Sequence, residues 1–564
     1  MAIEKRRLGN ILVNAGKITS FQLQEALKAQ KSLGKKIGEI LVDNRIITED
    51  DIIEAIEQQT GIKSVDLNTI DFNRKAISLI PENLCKKYTL IPFNFENNKI
   101  QVTLEDPLNI FAIDDLAIST GFEIESFISR KDDIKKYIGI YYSTQQVDNA
   151  AIQLSKESTK ALKNSKESFE LTSDVNSAPV VKMVDYLFKN SVELKASDIH
   201  IEPFENEIRI RYRIDGKLRT INKLGIESLA PLVTRIKIMA GLNIAEKRIP
   251  QDGKIMIKIN DKEIDLRISV LPVAFGEKIV IRILNKGSGV IRKEDLGMDK
   301  ENIDKINRII SNPHGIILVT GPTGSGKSTT LYSVLSELNS SELNIITVED
   351  PVEFTMNGVN QVNVNEKAGL TFASGLRSIL RQDPDIVMIG EIRDEETAEI
   401  AIRAAITGHL VLSTLHTNDA PSSIARLIDM GVKPYLVSTS VVGVIAQRLV
   451  RKICDHCKTP YEARDYEKKV LGQAIHNKLT LYKGCGCGYC QETGYTGRVG
   501  VYEIMEVTRK HRQAIDDEAT SDKLRDIAIS NGMNTLEMEC KKLVLQGITT
   551  LDEFGRITTS EIID

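Results

Sequence analysis

The stretch 315-GIILVTGPTGSGKSTTLYSVL-335 decides the fold, because a short apolar strand runs there into a glycine-rich turn and then into a helix. Within it, 321-GPTGSGKST-329 meets the G-x-x-x-x-G-K-[ST] pattern, and the run Ile316 to Val319 supplies the strand that should precede it. Gly321, Gly324 and Gly326 accept backbone angles closed to other residues, so the N–H groups of Gly321, Pro322, Thr323, Gly324, Ser325 and Gly326, proline excepted, can turn onto a phosphate oxygen. Lys327 brings positive charge to the β- and γ-phosphates of ATP. Ser328 offers a hydroxyl to Mg2+, Thr329 follows it, and the helix that starts here points its N-terminal dipole at the anion.

Reading outward, a chain of 564 residues is too long for one core and points to several domains. A charged fraction of 27% with net charge −4 describes a soluble protein and gives no global reason to expect a nucleic acid partner. The start MAIEKRRLGN lacks the apolar core of a secretory signal, and no apolar run approaches the length that spans a bilayer, so a cytoplasmic location is expected. Five of the seven cysteines fall between Cys454 and Cys490, a grouping that suits a metal site better than disulfides.

Downstream of the loop, 345-IITVEDPVEF-354 places Glu349 just after an apolar run, where a carboxylate can orient water or Mg2+. The strand Ile386 to Ile389 leads to Glu391 in the manner of a Walker B strand. Glu391 is read as holding Mg2+ through water and Glu349 as the general base, with the reverse assignment as the alternative. His409 and His416 bracket the apolar run LVLSTL seven residues apart, which puts them on opposite strand faces and argues against a shared metal. They are read as sensors of phosphate state and domain position.

Upstream, 196-ASDIHIEPFENEIRIRYRIDGKLRT-220 alternates on both sides of the turn PFEN and reads as a hairpin. Asp198, His200 and Glu202 share one face of the first strand, and Arg209, Arg211 and Arg213 one face of the second. Further strands add Arg267 and Arg282. Permanently charged guanidinium groups suit contacts with a phosphate held elsewhere, and Arg211, Arg213, Arg235 and Arg282 are the candidates, with structural ion pairs as the alternative. The cysteines 454-CDHC-457 and 487-CGYC-490 form a C-x2-C…C-x2-C framework, so Cys454, Cys457, Cys487 and Cys490 are expected to hold one tetrahedral Zn2+, with Cys485 an unused neighbour or a competing ligand.

At the N-terminus, 7-RLGNILVNAGKITSFQLQEALKAQ-30 and 36-KIGEILVDNRIITEDDIIEAIEQQ-59 form an internal repeat of period 29. Each unit reads as a short helix, a turn, a Thr N-cap and an amphipathic helix, and two such units can bury one shared core. Residues 61–142 read as a small α/β domain, with Cys85 a core or surface thiol rather than a ligand, and 143–176 as a polar, mobile linker.

These motifs, with 407-TGHLVLSTLHTNDA-420 and 447-QRLVRKIC-454, resemble the type II secretion and type IV filament ATPase family along nearly the whole chain. The resemblance implies an α/β fold with a RecA-like P-loop NTPase core at 300–564 carrying a four-Cys zinc module at 454–490, preceded by a PAS-like, arginine-bearing α/β domain at 177–290. It implies a homo-hexameric ring that hydrolyses ATP and moves an inner-membrane platform protein, with the front domains meeting platform or cytoplasmic scaffold proteins. Such a motor sits at the cytoplasmic face of the membrane through its partners. Pilus extension is the expected task, with type II protein secretion and DNA-uptake pseudopilus assembly as alternatives. The repeat at 1–60 resembles N-terminal motifs that bind cyclic di-GMP, with Arg7, Leu8, Gly9, Gly16 and Gln30 matching the first motif, whereas Lys36, Ile37 and Arg45 depart from the second. A docking role without ligand is the alternative.

Overall fold

The computed structural model describes residues 8–142, 179–285 and 291–562, apart from 34–36, 45, 69, 71, 108, 132, 136, 140 and 260–261. Arg7, Lys36, Arg45 and the linker expected at 143–176 lie outside the described residues. The chain divides into two compact units, one formed by Met1–Phe188 with Glu227–Arg235 and Cys487–Tyr489, the other by the remainder.

In the first unit the repeat folds into α1 (Leu8–Asn14), α2 (Ser20–Leu33), α3 (Ile37–Asp43) and α4 (Glu49–Thr60). Residues one period apart meet in a single core, Ile11 with Ile40, Leu12 with Leu41, Ile18 with Ile47 and Ala26 with Ala55. The caps repeat as well. Thr48 N–H donates to Asp51 Oδ2 at 2.9 Å, and Thr19 N–H donates to Gln22 Oε1 at 2.8 Å. A Cβ on Gly9 would come within 2.4 Å of Leu23 Cδ1, and one on Gly38 within 3.0 Å of Ile52 Cδ1, so both glycines let α2 and α4 pack closely on α1 and α3. Beyond them, β1 (Leu90–Glu96), β2 (Lys99–Leu104) and β3 (Glu123–Ile128) form a three-stranded sheet in which β1–β2 is antiparallel and β2–β3 parallel. Cys85 is fully buried in this core, and burial pushes its thiol up to about 12.

The second unit holds two larger sheets. In the first, β4 (Asp198–Pro203), β5 (Glu207–Ile214), β6 (Lys217–Gly225), β7 (Gln251–Ile259), β8 (Lys262–Val273) and β9 (Gly276–Asn285) run in the order β6-β5-β4-β9-β8-β7. All its pairs are antiparallel. The register sets Asp198 against Arg213, His200 against Arg211 and Glu202 against Arg209, the hairpin that the alternation predicts.

The other sheet has seven strands: β10 (Gly315–Thr320), β11 (Ile345–Glu349), β12 (Val359–Asn363), β13 (Ile386–Ile389), β14 (Leu410–Leu415), β15 (Val441–Ile453) and, past the cysteine region, β18 (Tyr495–Glu506). Between β15 and β18 lies a small antiparallel pair, β16 (Lys458–Glu462) and β17 (Thr480–Gly484). The order is β12-β11-β13-β14-β10-β15-β18, parallel throughout except for β18. Its central strands are continuous apolar runs because both faces are covered. Ile316, Leu318, Ile346, Val348, Val387 and Ile389 enter one core layer, and Ile317, Val319, Ile345, Ile386 and Met388 enter the other. This period-two division fixes the strand register and leaves only the strand ends for polar chemistry. The carboxyl ends of β10, β11, β13 and β14 therefore share one edge of the sheet, where open α/β folds bind their ligands.

Candidate functional site

The phosphate loop leaves β10 at Thr320, and the helix Lys327–Leu338 follows it. Gly321 (φ 146°), Gly324 (φ 79°) and Gly326 (φ 91°) occupy the region that favours glycine, and a Cβ on Gly321 would fall 2.4 Å from the Gln447 carbonyl oxygen. Backbone of β15 thus backs the loop directly. Lys327 Nζ donates to the carbonyls of Gly321 at 2.7 Å and Pro322 at 3.3 Å, folding its charge over the turn. Burial pulls its ammonium down to about 8, with Glu391 opposing the shift and Arg448 reinforcing it. Ser325 Oγ is buried in the same loop without a hydrogen-bond partner. A loop with an unsatisfied hydroxyl, a desolvated ammonium and no room for a side chain at Gly321 fits a polyphosphate. Ser328, exposed at the helix start, is the hydroxyl available to its Mg2+.

Glu391 follows β13. It bonds Arg393 and accepts from His416 Nε2 at 3.2 Å. Burial works to raise its carboxyl, yet Arg393 and then His416 outweigh burial and hold it below the usual range. Lys327, Glu391 and His416 therefore converge, with the carboxylate held ionised beside the Arg393 guanidinium. His409 does not join them. It precedes β14, on the amino-terminal side of the strand whose carboxyl end carries His416, and its Nδ1 lies 2.9 Å from the Ala404 carbonyl oxygen at the end of the helix Glu395–Ile406. The two histidines thus stand at opposite ends of β14, apart from one another, in keeping with the absence of a shared site that their spacing predicts.

Glu349 ends β11 and is only 4% exposed. Tyr332 Oη donates to its Oε2 at 2.5 Å, while Thr347 Oγ1 at 2.6 Å and Gln361 Nε2 at 3.2 Å donate to its Oε1. The arginines of the antiparallel sheet are engaged locally. Arg211 Nε donates to Glu202 Oε2 at 2.6 Å, Arg282 Nε donates to Asp198 Oδ1 at 3.2 Å, and Arg213 Nε lies 3.4 Å from Asp198 Oδ2. Arg235 Nε is buried without a hydrogen-bond partner. The paired network is what the single chain displays.

Sequence reasoning assigned no role to Gln447 and Arg448 of β15, or to Tyr332 and Gln361. Gln447 Oε1 accepts from Thr330 Oγ1 at 2.7 Å on the phosphate-loop helix, and Arg448 Nη2 donates to Asn418 O and Oδ1 at 2.9 Å, just after His416. Their one sequence signal is a polar pair inside the apolar run 441-VVGVIAQRLV-450.

The four cysteines of the knuckle meet, their sulfurs all within 4.8 Å of one another. A tetrahedral ion with metal–sulfur bonds of about 2.3 Å needs sulfur separations of about 3.8 Å, close to the 3.8 Å between Cys457 and Cys490. Burial raises the Cys457 thiol, and the neighbouring thiols add to this, the disfavoured crowding that a bound cation relieves. Cys485 stands apart and exposed, 3.0 Å from Thr459 Oγ1. The donor set fits a closed, structural metal site.

A mostly parallel sheet with a phosphate loop on a central strand and acids on the neighbouring strand ends defines a P-loop NTPase with a RecA-like core. The chain belongs to the type II/IV secretion system protein family, whose model matches residues 173–556, and it is an ATPase of the secretion and pilus kind. A second model, the MshEN domain, matches residues 60–148, the three-stranded sheet region. The chain is similar to the type IV pilus assembly ATPase PilB of Myxococcus xanthus, 41% identical over 97% of this chain and 98% of that protein. It is also similar to type II secretion system protein E of Pseudomonas aeruginosa, 47% identical over 70% of this chain and 78% of that protein. Among solved structures, the Legionella pneumophila ATPase DotB shares the fold, with a TM-score of 0.51 at 22% identity, covering 69% of this chain and 98% of that one.

Because Lys327 titrates near 8 when no phosphate is present, and a bound polyphosphate raises it, ATP binding takes up a proton above that pH. The Kd for ATP should be flat below pH 8 and weaken above it, by up to about tenfold per pH unit. Calorimetry in buffers of different ionisation enthalpy measures the proton uptake, and Lys327→Ala should abolish it.

Proposed function

We propose that this chain is the motor that extends a type IV pilus, converting ATP and water to ADP and phosphate in a homo-hexameric ring that moves an inner-membrane platform protein. The observation that carries this reading is the likeness to a pilus assembly ATPase, which runs through 97% of this chain and 98% of the relative and so takes in the N-terminal unit. One type II secretion system protein E is 47% identical over 70% of this chain and another 37% identical over 98% of this chain and 98% of that protein, which keeps type II secretion as the second reading.

In this reading Gly321 to Gly326 cradle the phosphates, Lys327 neutralises the β- and γ-oxygens, and Ser328 and Thr329 open the helix beneath them. Mg2+, when bound, offsets charge on the transferring phosphoryl group. Glu391, held ionised by Arg393 and His416, orients the ion's water shell, and Glu349 takes the proton from the attacking water. Arg211, Arg213, Arg235 and Arg282 are the candidates for reaching a neighbouring subunit's nucleotide, and His409 and His416 for coupling. Partner contacts, with the platform and with a cytoplasmic pilus scaffold protein, fall to the front domains at 1–60 and 61–142. They hold the ring at the cytoplasmic face of the inner membrane. Among the described residues no helix is long and apolar enough to cross a membrane, which accords with association through partners.

Deleting the gene should abolish surface pili while leaving secreted proteins unchanged, with piliation restored by the wild-type chain and not by Glu391→Gln; loss of secretion with pili intact would establish the second reading instead. Zn2+ at Cys454, Cys457, Cys487 and Cys490 should appear as about one equivalent per chain on elemental analysis, and Cys487→Ser should lose it. Cyclic di-GMP is the proposed ligand of the repeated helices, through Arg7, Leu8, Gly9, Gly16 and Gln30. Calorimetric titration of the full chain should give micromolar binding that Gln30→Ala weakens.

A further inference from the structure

Beyond His416 the chain crosses the carboxyl edge of the sheet one strand at a time. A single register row runs through Leu415 of β14, Thr320 of β10, Ala446 of β15 and Glu503 of β18. The residues that follow β14 are held in the same order. Thr417 N–H donates to Thr320 Oγ1 at 3.0 Å, on the last residue of β10 before the phosphate loop. Asn418 O and Oδ1 each accept from Arg448 Nη2 of β15 at 2.9 Å. Ala420 N–H donates to Glu503 Oε1 of β18 at 2.8 Å. Between them, Asp419 Oδ2 accepts from Arg525 Nη2 of the helix Ser521–Ser530.

Starting the helix Pro421–Asp429 needs less than this. Asp419 Oδ1 accepts from Ser422 N–H at 2.8 Å, which satisfies one of the amides that a helix start leaves unpaired. The anchors on Asp419 Oδ2 and on Ala420 N–H go beyond capping, and the second is costly. Glu503 is the only charged residue in its buried run Gly500–Met505. Burial pushes its carboxyl up to about 7, with Asp419 adding to the shift and the two N–H groups it binds and Arg525 opposing it. Replacing buried charged groups by well-packed apolar side chains is often neutral or stabilising, so packing gives no reason for a carboxylate here. What the carboxylate supplies is a bridge. Its Oε2 accepts from Leu536 N–H at 3.2 Å, at the start of the helix Leu536–Leu545, while Oε1 holds Ala420. The residues after His416 are thereby joined to two C-terminal helices and, through Thr320, to the root of the phosphate loop.

We propose that Thr417–Ala420 form a strap held across the sheet edge by Arg525 and Glu503, and that these two residues position His416 on Glu391 for hydrolysis. Both are positioning residues: they act through the strap. With Thr417 fixed on β10 and Ala420 on β18, little freedom is left to His416, whose Nε2 lies 3.2 Å from Glu391 Oε2. Slack in the strap lets the imidazole swing off the carboxylate while Lys327 and the loop glycines stay in place.

This rests on His416 and Glu391 acting together at the site, as the proposed function has it, and the experiment separates the two. In the assembled full-length chain, Arg525→Met releases the strap and strands Asp419, so it should slow turnover and lower the melting temperature. Adding Asp419→Asn removes the stranded charge and should restore the melting temperature, yet kcat should stay about 10- to 100-fold down with KM for ATP within about twofold of wild type, the mark of lost positioning. Arg525→Lys keeps the charge and should keep most of kcat. Glu503→Met removes both acceptors at similar length and should lower kcat in the same way. If the double variant regains wild-type kcat along with its melting temperature, or if Glu503→Met turns over at the wild-type rate, the anchors position nothing. Wild-type turnover by His416→Ala would instead refute the reading of His416 and Glu391 itself.

Discussion

A partly buried positive charge organises the site. Lys327 sits at the start of a helix, where the backbone already presents unpaired N–H groups and the positive end of a dipole, and burial adds a desolvation cost to the ammonium. The chain meets this strain by bending Lys327 back onto the carbonyls of Gly321 and Pro322 and by placing Glu391 nearby. Both are weak substitutes for a polyphosphate, which offers several anionic oxygens to the same donors. Affinity for nucleotide is stored in that mismatch.

The central sheet determines where the substitutes can stand. Because β10, β11, β13 and β14 are buried on both faces, their polar residues are displaced to strand ends, and parallel pairing gathers those ends on one edge. The register pairs Thr320 with Leu415, one residue before His416, and Val348 with Ile389, beside Glu349 and two before Glu391. Shifting a strand by one residue would turn its apolar side chains out of their layers and cost more than any one polar contact at the edge gains. Catalytic geometry is thus enforced by burial some distance away.

This division also explains how much the sequence disclosed. The strand–loop–helix at 315–335, the acids at 349 and 391, the two cysteine pairs and the repeat of period 29 are local patterns, and the pairing of Leu12 with Leu41 or Ile18 with Ile47 inside one core follows from the repeat itself. What stayed hidden depends on contacts between distant segments. Gln447 lies more than a hundred positions from the loop it supports, and nothing in the local pattern of Tyr332 marks it as the partner of Glu349. The spacing of His409 and His416 put them on opposite faces, but only the parallel pairing of β14 with β10 shows that just one reaches the phosphate edge. Gly9, matched to a ligand motif, also gives Leu23 room to pack onto α1, so its presence has a packing reason whether or not a ligand binds there.

The antiparallel sheet raises the same question of alternative partners. Breaking a buried ion pair by removing one member costs about 3–5 kcal/mol, because the remaining charge is stranded. Asp198 and Glu202, both buried, avoid that penalty by duplication. Glu202 is shared by Arg211 at 2.6 Å and Lys278 at 2.9 Å, and Asp198 by Arg282 at 3.2 Å and Arg213 at 3.4 Å. One cation of each set can leave while the other keeps the carboxylate paired. Arg282, the most exposed of the three arginines at 61%, has the least to lose by leaving, whereas Arg211 is held most closely. With two cations on each buried acid, neither carboxylate is stranded when one pairing is lost.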